Sequence, residues 1–220
     1  QHPWFLDSDA SPTSKHRDWY VWNVADLGWA QPWGGNRDTW HAGRSGFFYG
    51  VFWGGMPDLN WRNPAVRSEM ARVARLWLAR GVDGFRLDAT RHLVENGPGD
   101  GQVDQPETHA ALREFAAAVR AAKPDAILVG ENWTDTPTIA RYYGDASRLP
   151  GGDELPMSFD FPLAGAILEA IESRQAEPVV RVLRDVARDY PPGALDAPFL
   201  TNHDMVRVAT QLSTTAAGGD

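Results

Sequence analysis

Apolar positions along this chain fall into two alternating patterns. From Pro64 to Arg80 they recur at Val66, Met70, Val73, Ala74, Trp77 and Leu78, the spacing of one helix face. Asn63 and Pro64 suit the cap and first position of that helix, and Gly81 suits its end. A short apolar run follows, Val82, Phe85 and Leu87, which reads as a strand. The pattern then repeats: a helix from Pro106 to Lys123 with Leu112, Phe115, Ala116 and Val119 on one face, stopped by Pro124, leads to a strand at Ile127–Val129. Weaker repeats predict a short helix at Thr136–Tyr143, a strand at Met157–Phe161, helices at Pro162–Ser173 and Glu177–Tyr190, a strand at Pro198–Asp204 and a helix at Met205–Leu212. Helices alternating with short apolar runs imply an α/β fold with a parallel sheet. Residues 1–63 carry no sustained period and are dense in Gly, Pro, Asn, Asp and Trp, so they read as a loop-rich subdomain or insertion. The expected domains are therefore 1–63 and 64–220.

Composition narrows the function. With 29 acidic against 21 basic residues the formal charge is −8, which argues against nucleic acid or an anionic membrane surface as partner. There is no cysteine, so thiolate metal sites and disulfides are excluded, and no apolar run is long enough to span a membrane. Tryptophan is the outlier: ten residues, eight of them within the first 61. Flat indole rings suit the apolar faces of sugars, although any one of them taken alone more often packs a small core.

Chemistry-bearing residues close the apolar runs. Arg86 and Asp88, two residues apart at the end of a predicted strand, share one face, so the guanidinium can fix the carboxylate's rotamer. Glu131 closes the next run in Gly-Glu-Asn-Trp, and Asp204 ends Phe-Leu-Thr-Asn-His-Asp. Three acids at strand ends belong on one rim of a parallel sheet, where barrel enzymes keep their chemistry.

Gly84-Phe-Arg-Leu-Asp-Ala-Thr-Arg-His92 closely resembles the second signature of the alpha-amylase family, glycoside hydrolase family 13; Gly130-Glu-Asn-Trp133 resembles its third and Phe199-Leu-Thr-Asn-His-Asp204 its fourth. Met56-Pro-Asp-Leu-Asn60 is similar to the short fifth signature, in a spelling that looks intermediate between oligo-1,6-glucosidases and neopullulanase-type enzymes. The resemblance implies part of a (β/α)8 TIM barrel, about strands 4 to 7, with a loop-rich subdomain after strand 3. It implies a retaining glycosidase acting on α-glucosidic bonds of malto-oligosaccharides or starch-like glucans. Asp88 would be the nucleophile, Glu131 the acid/base and Asp204 the third acid, with Arg86, Arg91, His92, Trp133, Asn202 and His203 binding substrate. No cofactor is implied for the chemistry; a structural calcium at the His92 backbone carbonyl is an open expectation. A same-family transglycosylase or trehalose synthase-like isomerase is the alternative, and a non-catalytic sugar-binding relative is the rival from another class. Because the family's first signature and several strands are missing, the isolated chain is expected to be an inactive or poorly folded piece of a larger enzyme.

Overall fold

The computed structural model describes residues 2–35 and 37–217, and its chain contacts separate into two compact units. The first comprises residues 1–82 and 90–124, the second 83–89 and 125–220.

The first unit opens with α1 (Pro3–Ala10), followed by three short strands, β1 (Trp22–Asn23), β2 (Trp40–Gly43) and β3 (Gly46–Tyr49). They pair antiparallel in the order β1-β3-β2. Aromatic side chains supply the core that aliphatics do not. Phe5, Tyr20 and Phe48 are buried with Trp4, Trp19 and Trp22 around them, and Trp40, Tyr49 and Val51 form a second cluster with Trp29 and Phe52. Most of the N-terminal tryptophans therefore pack a core; Trp33 and Trp53 stay about half exposed, at 51% and 57%. Arg17 joins α1 to the β2–β3 turn: its guanidinium lies 3.7 Å from the Trp22 ring centre and donates to the Ser45 hydroxyl at 2.7 Å. The Met56–Asn60 segment is stitched to the same core by a bridge between Leu59 and Tyr20 and by Asp58, whose Oδ2 accepts the Val51 N–H at 2.9 Å.

Two helices complete this unit, α2 (Pro64–Ala79) and, beyond the crossover, α3 (Pro106–Ala122). Asn63 caps α2 through the Ala65 N–H at 2.9 Å, and Gly81 follows in the left-handed region at φ 96°, the conformation that favours glycine past a helix end. Val66, Ala74 and Leu78 are buried on α2, and Leu112, Ala116 and Val119 on α3, as the periodicity requires.

The second unit is built on four parallel strands in chain order, β4 (Gly84–Leu87), β5 (Ile127–Gly130), β6 (Met157–Phe159) and β7 (Leu195–Ala197). Around them lie α4 (Thr136–Arg141), α5 (Phe161–Ser173), α6 (Glu177–Asp189) and α7 (Val208–Ala217). Leu163 and Ala166 of α5 pack against Val182 of α6. Register places Arg86 opposite Val129 and Leu87 opposite Gly130, so Arg86 and Val129 share one face with the residues two further along, Asp88 and Glu131.

One predicted strand is displaced. The ladder to β6 is made by Leu195–Ala197, and Pro198–Asp204 is a loop ending in a turn, so the last helix begins at Val208 rather than Met205. Pro198 lacks the N–H a ladder needs, and Phe199 satisfies its apolar surface from the loop by packing on Phe159 and Phe161 at 5.6 and 4.9 Å between ring centres.

Gly84 sits where the β4 backbone passes against Ile127, and a Cβ there would run into the Ile127 carbonyl oxygen. Gly84→Ala is therefore expected to cost about 1–3 kcal/mol through forced separation of the two strands, read as a lowered melting temperature of the complete protein.

Candidate active site

Where β4 ends, the chain turns sharply. Ala89, next after Asp88, holds φ at 45°, a left-handed conformation that strains a residue with a Cβ. The turn aims the Ala89 N–H at Glu131, whose Oε2 accepts it at 3.2 Å. Strain of this kind persists only where surrounding contacts enforce it, and here its result is a donor pointed at a carboxyl group. An alanine gives no sequence signal for such a role.

Arg86 joins the two acids. Its Nη1 lies 2.8 Å from Asp88 Oδ1 and its Nη2 2.9 Å from Glu131 Oε2. The two carboxyl groups thus stand about a guanidinium's width apart, close enough for each to act on the other. Their surroundings differ: the Asp88 side chain is 65% exposed and that of Glu131 only 10%. Burial pushes the Glu131 carboxyl above the usual glutamate range; the Ala89 N–H and Arg86 pull it down, and Asp88 pushes it up again. One acid is open to solvent and to an incoming group, while the other tends to keep its proton. Behind them Asn132 is fully buried and donates to the Ser158 hydroxyl at 3.1 Å, which anchors the Glu131-Asn132 turn to β6.

Asp204 sits differently from the other two acids. It lies in the exposed turn after β7, its backbone N–H bonded to Asn202 Oδ1 at 2.9 Å and its Oδ2 3.2 Å from His203 Nε2. Asn202 and His203 therefore shape the turn that presents Asp204. Trp133 stacks on Phe161 at 4.7 Å, with half of its surface, 52%, open.

Arg91 and His92 belong to the first unit. Arg91 is committed to Asp104 by a two-pronged ion pair at 2.9 and 2.6 Å. His92 packs edge-on to Trp33 and Phe52 at 5.3 and 5.7 Å, and burial lowers its imidazole to about 4, so it is neutral at physiological pH. Calcium ligation takes six to eight oxygens. Among the described residues no three His, Asp or Glu side chains converge to hold an ion, and Asp104, hydrogen-bonded to this turn, is taken by Arg91.

A family profile for the alpha-amylase catalytic domain matches residues 1–218. The chain belongs to the alpha-amylase family. Alpha-amylase 3 of Dictyoglomus thermophilum is 35% identical over 213 residues, a match that covers 96% of this chain and 38% of that protein. Trehalose synthase/amylase TreS of Mycobacterium tuberculosis is 34% identical over 209 residues, covering 92% of this chain and 34% of the relative. Among solved structures, an alpha-amylase from H. orenii superposes with a TM-score of 0.80 at 31% identity, over 97% of this chain and 42% of that one. The chain thus spans less than two fifths of the two curated relatives. Its four parallel β/α units are part of the (β/α)8 barrel of alpha-amylase family enzymes, the fold class the sequence implies.

Proposed function

We propose that the complete protein is a retaining glycoside hydrolase that cleaves α-glucosidic bonds of malto-oligosaccharides or starch-like glucans. The observation that carries this reading is the single guanidinium holding an exposed and a buried carboxyl group side by side. Inverting glycosidases keep their acids far enough apart for a water to sit between substrate and base, whereas retaining enzymes keep them close. Two carboxyl groups bridged by one guanidinium fit the closer arrangement.

The exposed Asp88 carboxylate attacks the anomeric carbon, and Glu131 gives its proton to the departing glycosidic oxygen. A glycosyl ester on Asp88 results. Glu131, now a carboxylate, takes a proton from water, which attacks the same carbon and releases Asp88. Inversion twice restores the α configuration. Arg86 keeps Asp88 aligned and offsets the charge that builds on Glu131 as it loses its proton. Asp204 accepts hydrogen bonds from sugar hydroxyls of the reacting ring, and Trp133 offers an open aromatic face to the substrate.

A second reading has a specific basis. The mycobacterial relative's name joins trehalose synthase and amylase, and both activities can pass through a glycosyl-enzyme that either water or a sugar hydroxyl intercepts. Maltotriose and maltose incubated with the complete protein, followed by proton NMR, separate these outcomes. Release of glucose and maltose born in the α configuration is expected. Conversion of maltose to a non-reducing disaccharide would replace hydrolysis with isomerisation, and sugar binding without turnover would make the chain a binding relative.

A further inference from the structure

A second pair of acids lies within the sheet unit. Asp160 follows β6 and caps α5: its Oδ1 accepts the Leu163 N–H at 2.8 Å, its N–H donates to the Ala197 carbonyl at 3.2 Å, and it is fully buried. Asp196 is the middle residue of β7 and the register partner of Ser158, so Ser158, Asp160 and Asp196 share one face of the sheet. Asp160 Oδ2 and Asp196 Oδ1 are both buried, and neither meets a donor among the described residues. Each carboxyl group nonetheless acts on the other, so the two side chains lie close together. Two carboxylate oxygens are both acceptors, so a bond between them requires a proton.

The titratable groups sharing this interior are Tyr143, just after α4, and Tyr190, just after α6, their rings 4.8 Å apart. Tyr143 spends its hydroxyl proton on the Leu195 carbonyl at 3.0 Å, and burial raises both phenols, so neither carries a charge. Burial also raises both carboxyl groups, Asp196 to about 6. Among the described residues no cation acts on either acid.

β7 is only three residues long, and the loop that leaves it carries Asn202, His203 and Asp204. We propose that Asp160 and Asp196 are positioning residues for this loop: one proton held between them ties β7 to the start of α5, and its loss loosens the segment that presents Asp204. The functional half of this inference rests on the role given to Asp204 above; the proton itself does not. The sign follows from linkage. A carboxyl group whose pKa is higher folded than unfolded contributes stability that is complete below about pH 4 and is lost as pH rises through the folded value. Above that point two carboxylates face each other in a buried space.

The test uses the complete protein, with melting temperature and the kcat and KM for maltotriose measured from about pH 4 to about pH 8. Asp196→Asn supplies an amide donor to Asp160 at every pH and so imitates the protonated pair. Asp160→Asn does the reciprocal and keeps the cap on α5. The wild type is expected to lose melting temperature between about pH 4 and about pH 6 and to level off above, with kcat falling by about an order of magnitude as pH passes about 6, beyond the loss due to Glu131. In either asparagine variant both falls should flatten while KM barely moves. Melting curves of the variants that track the wild type at every pH would overturn the shared proton. Flattened melting with an unchanged activity profile would overturn the positioning role. If the complete protein turns over no glycoside at any pH, the proposed function fails, and the melting comparison still decides the proton.

Discussion

Asp88→Ala is expected to lower the kcat of the complete protein on maltotriose by at least about 10⁴-fold while leaving the melting temperature within a few degrees of the wild type. The side chain is largely exposed and is held by an ion pair with Arg86, so little packing is lost with it. What disappears is the atom that becomes bonded to the anomeric carbon. Glu131 still protonates the leaving oxygen, and the space left is open to a small nucleophile. Added azide should therefore restore turnover and give a β-configured glycosyl azide, because only one inversion then takes place. Rescue with that configuration is a result that a purely structural role for Asp88 would not give.

Glu131→Gln is expected to cost about 10²–10⁴-fold in kcat/KM on maltotriose, since an amide cannot give its proton to the leaving oxygen. Its carbonyl oxygen can still accept from Ala89 and Arg86, so the local geometry should survive. Substrates with a leaving group that departs without protonation, such as a glycosyl fluoride, should lose far less in the first step. The pH profile supplies a second readout. Burial raises the Glu131 carboxyl, so the alkaline limb of kcat/KM in the wild type should lie above the ordinary glutamate range and vanish in the variant. Stability moves the other way. The buried carboxyl is most easily accommodated while protonated, and its contribution is lost as pH rises through its folded value, so the neutral glutamine should melt no lower than the wild type near neutral pH.

The parts of this protein that were legible in the sequence are those where a single rule spans several residues. The helix from Pro64 to Ala79 announced its start with Asn63-Pro64, its buried face with Val66, Ala74 and Leu78, and its end with Gly81, and each has the conformation that rule requires. Arg86 and Asp88 could be placed on one face from period two alone, and the ion pair at 2.8 Å follows from it. The three-stranded sheet of the first unit was not visible because its strands run two to four residues, too short for alternation to rise above the aromatic clutter. The strand at Pro198–Asp204 was misplaced because apolar residues in a loop can bury themselves against rings, as Phe199 does, without joining a ladder. Two features of the sites had no local signal. The positive φ of Ala89 is imposed by the turn between β4 and the next segment rather than by its own side chain. Asp160 and Asp196 lie 36 residues apart, and each alone reads as an ordinary cap or strand residue.

The measurement that bears most directly on the two-carboxyl account is to trap the covalent intermediate. The complete protein would be treated with a glucosyl fluoride carrying a second fluorine on the ring to slow the transition states, then digested and analysed by mass spectrometry. A single peptide containing Gly84–His92, heavier by one fluoroglucosyl group on Asp88, is the expected result, and Glu131→Gln should accumulate it more persistently. A label on any other residue, or turnover that yields β-configured sugar with no adduct at all, would contradict the assignment of Asp88 and Glu131.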